Sequence, residues 1–281
     1  MKIGITPSGF ERFGEERYAK LRAIGFACVD FGMADTGREL YHLTGEELDT
    51  AIRNERELAA SAGITISQIH GPWRWPARDT TEEERAERLE KMIHSIRVTA
   101  KLGCRYWVVH PIMPFGIEER DTELADKTWE MNLAFMSKLL AVAREENIVI
   151  CLENMPMPNF SMGSPEAILR FVETMNDEHF KICLDTGHVA VFPQLRLGDE
   201  VRRLGNNIRV LHVHDNSGRG DEHKLPYRGV IDWADFLAAL QEIGFDGAFS
   251  LELAMQTGAP LPELEAEYRN AYAIAANMLK I

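Results

Sequence analysis

Short apolar runs alternate with longer amphipathic segments along the whole chain, and this alternation predicts the secondary structure. The runs are rich in Val and Ile, and unbroken apolar runs of about four to eight residues are typical of strands that are buried on both faces. We therefore predict eight strands: KIGIT (2–6), FACVD (26–30), ITISQIH (64–70), YWVVH (106–110), IVICLE (148–153), FKICLD (180–185), IRVLHVH (208–214) and AFSLELA (248–254).

Between the runs, helix-like segments carry apolar residues near the helical period. Thr44 begins one segment with Glu47 three residues later, a spacing that predicts a capping box. Ser164 followed by Pro165 predicts a capped start with proline in the first turn. The predicted helices span 44–62, 80–102, 122–146, 164–175, 232–243 and 261–279.

The repeated order of strand and helix predicts an α/β protein with a parallel sheet. Eight such units close a (β/α)8 TIM barrel, which we expect to form a single domain over 1–281. An open doubly wound sheet is the structural alternative. The first run is followed by PSGFERFG rather than by a glycine-rich phosphate fingerprint, and this favours the barrel.

Composition narrows the class of protein and its partners. Hydrophobic residues make up 45% and charged residues 27% of the 281 positions, which is ordinary for a globular protein. The net charge of −13 repels polyanions, so we expect no nucleic-acid partner. The start MKIGITPSGF lacks the apolar region of a signal peptide, and no apolar run approaches about 18 residues. We therefore expect a cytoplasmic protein without a membrane span.

Four cysteines are far apart in the sequence and do not show the paired spacing of zinc ligands. We interpret them as buried, reduced thiols. They are Cys28, Cys104, Cys151 and Cys183.

Residues that commonly bind metals lie at the ends of six consecutive runs. The carboxyl ends of TIM-barrel strands form the active site, and ionisable groups are costly to bury unpaired. A few of them could be satisfied core groups, but six strand ends with the same pattern favour a functional site. These residues are His70, His110, Glu153, Asp185, His212 with His214 and Asp215, and Glu252.

Four of these side chains supply three carboxylates and one imidazole, a donor set that suits Mn²⁺, Co²⁺ or Mg²⁺ and tolerates Zn²⁺. A divalent cation would relieve the mutual repulsion of the carboxylates. The four are Glu153, Asp185, His212 and Glu252. His212 and His214 are two residues apart on one strand, so they face the same side.

Two loop motifs add further candidates. His188 lies three residues after Asp185, in a predicted loop over the barrel mouth. Asp221 and His223 lie in the polar, glycine-containing segment that follows His212. Taken alone, each loop histidine is equally consistent with a surface position and with a site residue.

Together these stretches resemble the xylose-isomerase-like TIM-barrel superfamily, which includes sugar isomerases, sugar epimerases and the AP-endonuclease family typified by endonuclease IV. The resemblance covers essentially the whole chain. Its most specific parts are IHGPW, VVHP, CLENMP, CLDTGHV, LHVHDNSGRGDEHKLP with GVIDW, and SLELA.

The resemblance to ketose 3-epimerases implies one metal ion held by Glu153, Asp185, His212 and Glu252. His212 is preferred over His214 because the family's ligand histidine stands three residues before an acidic residue, here Asp215. The endonuclease branch implies three zinc ions with further ligands. Their matching positions are His70, His110, His188, Asp221 and His223.

This sequence also departs from the family pattern. The stretch ENMPMPNF lacks the second, substrate-binding acid of the epimerases. Arg219 is only a loose counterpart of their basic residue after the ligand histidine. The lysine that xylose isomerases proper use for hydride shift has no clear match.

The resemblance implies a metal-dependent isomerase or epimerase acting on a ketose or keto-sugar through a cis-enediolate. Glu153 and Glu252 are expected to transfer the protons, and His188 to hydrogen-bond a substrate oxygen. A homo-oligomer is implied only by analogy with the family. Three aromatic residues are expected to line the sugar-binding site: Trp73, Trp75 and Phe115.

Three alternatives remain open. One is a lyase or dehydratase on a keto-cyclitol, which begins with the same proton abstraction. Another is a trinuclear zinc phosphodiesterase on abasic DNA, disfavoured by the charge and by a loop after His70 that offers only Arg74 and Arg78. The last is a non-enzymatic sugar-binding module, which would not need two opposed glutamates.

Overall fold

Eight parallel strands form the centre of the fold, and each coincides with one of the predicted runs. The computed structural model describes residues 1–33, 39–73, 77 and 79–280. The strands are β1 (Lys2–Ile5), β2 (Cys28–Gly32), β3 (Thr65–His70), β4 (Tyr106–Val109), β5 (Val149–Glu153), β6 (Phe180–Asp185), β7 (Ile208–His212) and β8 (Ala248–Leu251).

The strands follow one another around a barrel. Each of β1 to β7 pairs in parallel with the next, and β8 pairs in parallel with β1. Between β7 and β8 the ring closes through Val213, one residue past β7, which bridges Leu251 at the end of β8. The fold is therefore a single (β/α)8 TIM barrel, and the alternative of an open doubly wound sheet is wrong.

Helices surround the strands, and all six predicted helices are present within two residues of their expected ends. The α-helices in the described residues are α1 (Arg17–Ile24), α2 (Glu39–His42), α3 (Gly45–Ser61), α4 (Glu82–Lys101), α5 (Leu124–Glu145), α6 (Pro165–Met175), α7 (Thr186–Ala190), α8 (Leu197–Leu204), α9 (Trp233–Glu242) and α10 (Leu261–Leu279). The sequence pattern missed α1, α2, α7 and α8, because helices of four to eight residues are too short to show a clear period.

One predicted cap is confirmed and one is wrong. Ser164 accepts a hydrogen bond from the Ala167 amide and caps α6. Thr44 precedes α3 but makes no side-chain cap, because Gly45 enters the helix with a left-handed φ of 58°. The capping box lies instead at α4, where Thr81 and Glu84 bond each other's backbone amides.

The core has an outer layer between the sheet and the helices and a smaller layer inside the barrel. The inner layer contains Val108, Val149 and Val210 together with Cys151 and Cys183. All four cysteines are buried and unbonded to one another, as predicted. None of the helices in the described residues combines the length and the apolar character needed to span a membrane.

Candidate metal centre and active site

Four side chains at the ends of β5, β6, β7 and just past β8 form the central cluster (Glu153, Asp185, His212 and Glu252). The Nδ1 atom of His212 lies 2.9 Å from Glu153 Oε1, 3.1 Å from Glu252 Oε2 and 4.0 Å from Asp185 Oδ2. Parallel strands around a barrel bring their carboxyl ends to one rim, which explains why residues so distant in sequence converge. The structure thus brings together the four residues that the sequence singled out.

Asp30, at the end of the second run, orients His212. Its Oδ2 atom accepts hydrogen bonds from His212 Nε2 and from Gln68 Nε2, each at 2.9 Å. The pairing of β2 and β3 shifts by one residue between Val29 and Asp30, which sets Asp30 opposite Gln68 inside the barrel. With Nε2 committed to Asp30, Nδ1 is the nitrogen that faces the carboxylates.

The central cluster requires a positive charge. Burial alone would raise the pKa of Glu153, but His212 and His110 beside it lower that pKa well below the usual range. Burial would likewise lower the pKa of His212, yet Cys183 and the carboxylates of Glu252, Glu153 and Asp30 raise it well above its ordinary value. A proton on His212 meets this demand, and a divalent cation coordinated by Nδ1 and the carboxylates would meet it more fully. The donor set therefore fits the expected metal.

His70 and His110 form a second convergence of donor atoms on the other side of Glu153. Their Nε2 atoms are 3.2 Å apart, and they lie 3.5 Å and 3.1 Å from Glu153 Oε2. His70 Nδ1 donates to the Gly71 carbonyl, which directs Nε2 into the site. Burial lowers the pKa of His110 to about 4, although Glu153 opposes this shift. His110 is therefore neutral at pH 7 and can act as a ligand.

A third group, the loop cluster (His188, His214, Asp221 and His223), lies beside Asp185. His188 Nδ1 donates to the Asn154 carbonyl at 2.7 Å, and its Nε2 lies 3.4 Å from Asp221. His223 repeats this arrangement, because Nδ1 donates to the Glu252 carbonyl and Nε2 lies 3.0 Å from Asp221. In both rings one nitrogen is fixed by a backbone oxygen and the other points at the carboxylate.

His188 does not lie in a loop, contrary to the sequence-based expectation. Asp185 accepts a hydrogen bond from the His188 amide at 2.7 Å and thereby caps α7, which begins directly after β6. Gly187 is required in this turn, since a Cβ there would lie 2.0 Å from the ring of His214. That close approach lets His214 Nε2 reach Asp185 Oδ2 at 2.9 Å.

Asp215 anchors the loop that carries Asp221 and His223. Its carboxylate accepts hydrogen bonds from the amide of Gly229 and the indole of Trp233, and its backbone pairs with Lys224. A Cβ at Gly229 would lie 1.9 Å from the Asn216 carbonyl, so this turn depends on glycine. His223 has a left-handed φ of 46°, a strained conformation that non-glycine residues often keep at functional sites.

A cavity of about 340 Å³ opens above the clusters and includes Glu153, His188 and Glu252 in its lining. Trp73 also lines this cavity and is 43% exposed, a position compatible with the predicted contact with a sugar. Phe115 is 41% exposed and Arg219 is exposed, and neither is among the described residues that line the cavity. Trp75, Arg74 and Arg78 lie outside the described residues.

The apolar part of this cavity's lining was not anticipated from the sequence. It includes Met113, Met155 and Met157, and the last two lie in the stretch where the epimerase pattern would place a second acid. Arg88 lines the same cavity, is buried and pairs with the buried Asp79. Arg88 is one of three arginines in the long helix α4 and gives no sequence signal, because charged residues on helices are usually solvated.

The profile of the family described as Xylose isomerase-like TIM barrel matches residues 18–277, and the chain belongs to this family. The chain is 29% identical over 191 residues to the uncharacterized protein MJ1311 of Methanocaldococcus jannaschii, covering 66% of this chain. It spans 63% of MJ1311, just under two thirds of that relative's length. It is 25% identical over 252 residues to the D-psicose 3-epimerase of Enterocloster bolteae, covering 85% of this chain and 76% of that enzyme.

Solved structures share the fold over nearly the whole chain. The IolI protein with a bound zinc atom superposes with a TM-score of 0.79 at 18% identity, covering 99% of this chain and 98% of that one. The 3-keto-D-glucoside 4-epimerase YcjR from E. coli gives a TM-score of 0.74 at 17% identity, covering 97% and 98%. Identities this low establish the fold alone.

Proposed function

We propose that this protein is a metal-dependent isomerase or epimerase that moves a proton on the carbon next to the carbonyl of a keto-sugar. The observation that carries the proposal is the pair of carboxylates around His212. Glu153 from β5 and Glu252 from beyond β8 approach the same ring nitrogen from either side of β7, and both line the cavity. Sugar epimerases among the relatives support this interpretation.

The central cluster would hold one divalent cation, with Mn²⁺, Co²⁺, Mg²⁺ and Zn²⁺ all compatible with its donors. When bound, such an ion supplies Lewis-acid stabilisation of the negative charge that develops on the substrate oxygen. Asp30 keeps His212 in the tautomer that such an ion needs. His110 is neutral at pH 7 and therefore adds no positive charge of its own beside Glu153.

Glu153 and Glu252 carry the proton transfers. One carboxylate accepts the proton from the carbon next to the carbonyl, which leaves an enediolate, and the other returns a proton to the opposite face. Glu252 is 22% exposed and can exchange its proton with solvent, whereas Glu153 is almost fully buried. General acid–base transfer of this kind contributes roughly 10²–10⁴-fold in rate. His188 lines the same cavity and would hydrogen-bond a substrate oxygen through Nε2, in place of its contact with Asp221.

The test is solvent-deuterium exchange into a panel of free ketohexoses and 3-keto-glucosides, followed by NMR. Protein stripped by chelation is reloaded separately with Mn²⁺, Co²⁺, Mg²⁺ or Zn²⁺. We expect exchange at the carbon beside the carbonyl, with inversion or carbonyl migration in the product. A product that lacks one molecule of water relative to the substrate would identify the lyase instead. Absence of exchange with every substrate and every metal would refute the proposal.

A trinuclear phosphodiesterase is a second candidate, favoured by the donor atoms on both sides of the central cluster. His70 and His110 converge on Glu153, and the loop cluster offers three histidines around Asp221. The net charge of −13 opposes binding of DNA. Zinc content measured on the purified protein, combined with a nicking assay on an abasic oligonucleotide, separates the two functions. Three zinc ions per chain together with nicking would establish the phosphodiesterase.

A further inference from the structure

The barrel mouth has a second cavity beside the metal cluster, and this cavity is the larger of the two. The first, here called the metal lobe, is the cavity of about 340 Å³ whose lining includes Glu153, His188 and the three methionines described above. The second, here called the polar lobe, has a volume of about 880 Å³ and lies over β8, β1 and β2. Both lobes share His70, Trp73 and Glu252, so they meet at the metal site.

Polar side chains from four parts of the chain line the polar lobe, and their charges are largely neutralised within the protein. Glu55 accepts hydrogen bonds from Arg17 and from the hydroxyl of Tyr18. Asp30 is held by His212 and Gln68, and Glu252 belongs to the central cluster. No surplus of cations is present among the described lining residues, so the lobe does not suit a phosphate or another anion.

Uncharged polar side chains that are accessible also line the polar lobe. Asn54 and Thr257 are exposed, and Ser8 is partly exposed. Hydroxyl and amide groups of this kind can both donate and accept hydrogen bonds. A hydroxyl-rich, uncharged ligand matches them, whereas an apolar group would displace their water without replacing its hydrogen bonds.

The two volumes indicate the size of the ligand. Pockets that hold small molecules measure about 300–1,000 Å³, so the metal lobe is at the lower end of that range and the polar lobe is near its top. One sugar ring over the central cluster would leave the polar lobe empty. Trp73, half-exposed where the lobes meet, offers an aromatic face against which a sugar ring can pack.

We propose that the substrate is a keto-glycoside with two linked sugar units, rather than a free ketose. The keto-bearing ring lies in the metal lobe, and the second sugar lies in the polar lobe with its hydroxyls directed at accessible polar groups such as Ser8 and Thr257. This inference rests on the proposed function, because it assigns the substrate of the same site. It adds no chemical step to that reaction.

The first experiment compares two substrates that carry the same keto ring. The 3-keto derivative of sucrose has a second sugar, whereas methyl 3-keto-α-D-glucopyranoside has only a methyl group in its place. We expect kcat/KM for deuterium exchange to be about tenfold or more higher for the disaccharide, after subtraction of the enzyme-free rate. Free ketohexoses, which also lack the second sugar, should resemble the methyl glycoside.

The second experiment fills the polar lobe. Asn54 on α3 is exposed and lines this lobe, whereas its neighbour Arg53 is exposed and lines a different surface cavity. Asn54→Trp should remove the preference for the disaccharide, because the larger side chain excludes the second sugar from the polar lobe. Arg53→Trp, the matched control, should keep the preference.

The outcomes separate the two proposals. Equal or better turnover of the methyl glycoside or of a free ketohexose would overturn the keto-glycoside assignment while supporting the epimerase. The keto-glycoside assignment also fails if Asn54→Trp and Arg53→Trp behave alike on both substrates. Absence of exchange with every compound would refute the proposed function, and the substrate assignment would fail with it.

Discussion

The central cluster is built on strands, whereas the loop cluster is built on a short helix and an irregular loop, and Asp185 contacts both. Glu153 and Asp185 end strands that pair with a neighbour on each side, and His212 ends β7, which pairs with β6, so their positions follow from the barrel itself. Asp221 and His223 depend on one anchoring carboxylate, Asp215. The barrel alone thus positions most of the central cluster, whereas the loop cluster also requires particular loop contacts.

The two clusters also differ in how they are charged. In the central cluster one imidazole faces three carboxylates, so the cluster favours a positive charge, which a proton on His212 or a divalent cation would supply. In the loop cluster three imidazoles surround one carboxylate. Burial opposes protonation of His188, but Asp185 and Asp221 raise its pKa to about 10. The loop cluster is therefore balanced by protons that a metal ion would have to displace.

The strongest test of the comparison is loss of the central carboxylate. Glu153→Gln should lower the rate of deuterium exchange by roughly 10²–10⁴-fold, because it removes a proton carrier and a metal donor together. Exchange is measured by NMR on metal-loaded protein. Glu178→Gln, at a carboxylate that is 89% exposed, is the control and should behave as the parent. A Glu153 variant with parental exchange would contradict the assigned role.

A smaller effect is expected from the residue that orients the ligand histidine. Asp30→Asn should weaken metal binding by about 10–100-fold, because the amide can present a donor to His212 Nε2 and favour the wrong tautomer. Competition with a chromogenic chelator measures the affinity. In the His212→Ala background the same change should have little further effect, and additive losses in the double variant would show that Asp30 acts independently of His212.

The loop cluster should matter less for exchange. Asp221→Asn is expected to reduce the exchange rate by less than about tenfold, because Asp221 contacts the loop histidines and not the proton-carrying glutamates. Metal content and exchange are measured on the same sample. A fall as deep as that of Glu153→Gln, accompanied by loss of bound metal, would show that the two clusters work as one unit.

The smallest effect concerns the pH dependence of stability in chelator-treated protein. Burial opposes protonation of His223 as well, but Asp221 and Glu252 raise its pKa to about 9. The pKa values of His188 and His223 lie above the ordinary 6.5. The protonated rings therefore contribute fully to the free energy of unfolding below pH 6.5, and this contribution declines as the pH rises through 9 and 10. Urea unfolding at pH 6.5 and pH 10 should show this decline, and Asp221→Asn should reduce it. A free energy of unfolding that increased with pH would contradict the assignment.

Most of the fold was predictable because the strands of this barrel are short runs rich in apolar residues that alternate with longer amphipathic helices. Short helices such as α7 and α8 escaped prediction, since one or two turns do not establish a period. The cap at Thr44 failed because Gly45 turns the chain before the helix begins, which depends on a backbone conformation that residue types do not specify.

The candidate site was predictable to the extent that its residues end strands. Glu153, Asp185, His212 and Glu252 followed from that position together with the family resemblance, and the structure brings them together. Asp30 was overlooked although it also ends an apolar run, and the same rule would have found it. The contacts of Asp215 and the approach of His214 to Gly187 could not be read from the sequence, because they depend on tertiary packing of the loop.

The bridge between Val213 and Leu251 has a consequence for how the barrel holds together. It is the pairing that closes the ring between β7 and β8 in the described residues, and its two residues are the sequence neighbours of His212 and Glu252. A cation shared by these two residues would join the two ends of the sheet across this seam. At a free ion concentration of 100 times Kd, such binding adds about 2.7 kcal/mol to the free energy of unfolding. The ion would then stabilise the closed barrel as well as take part in catalysis.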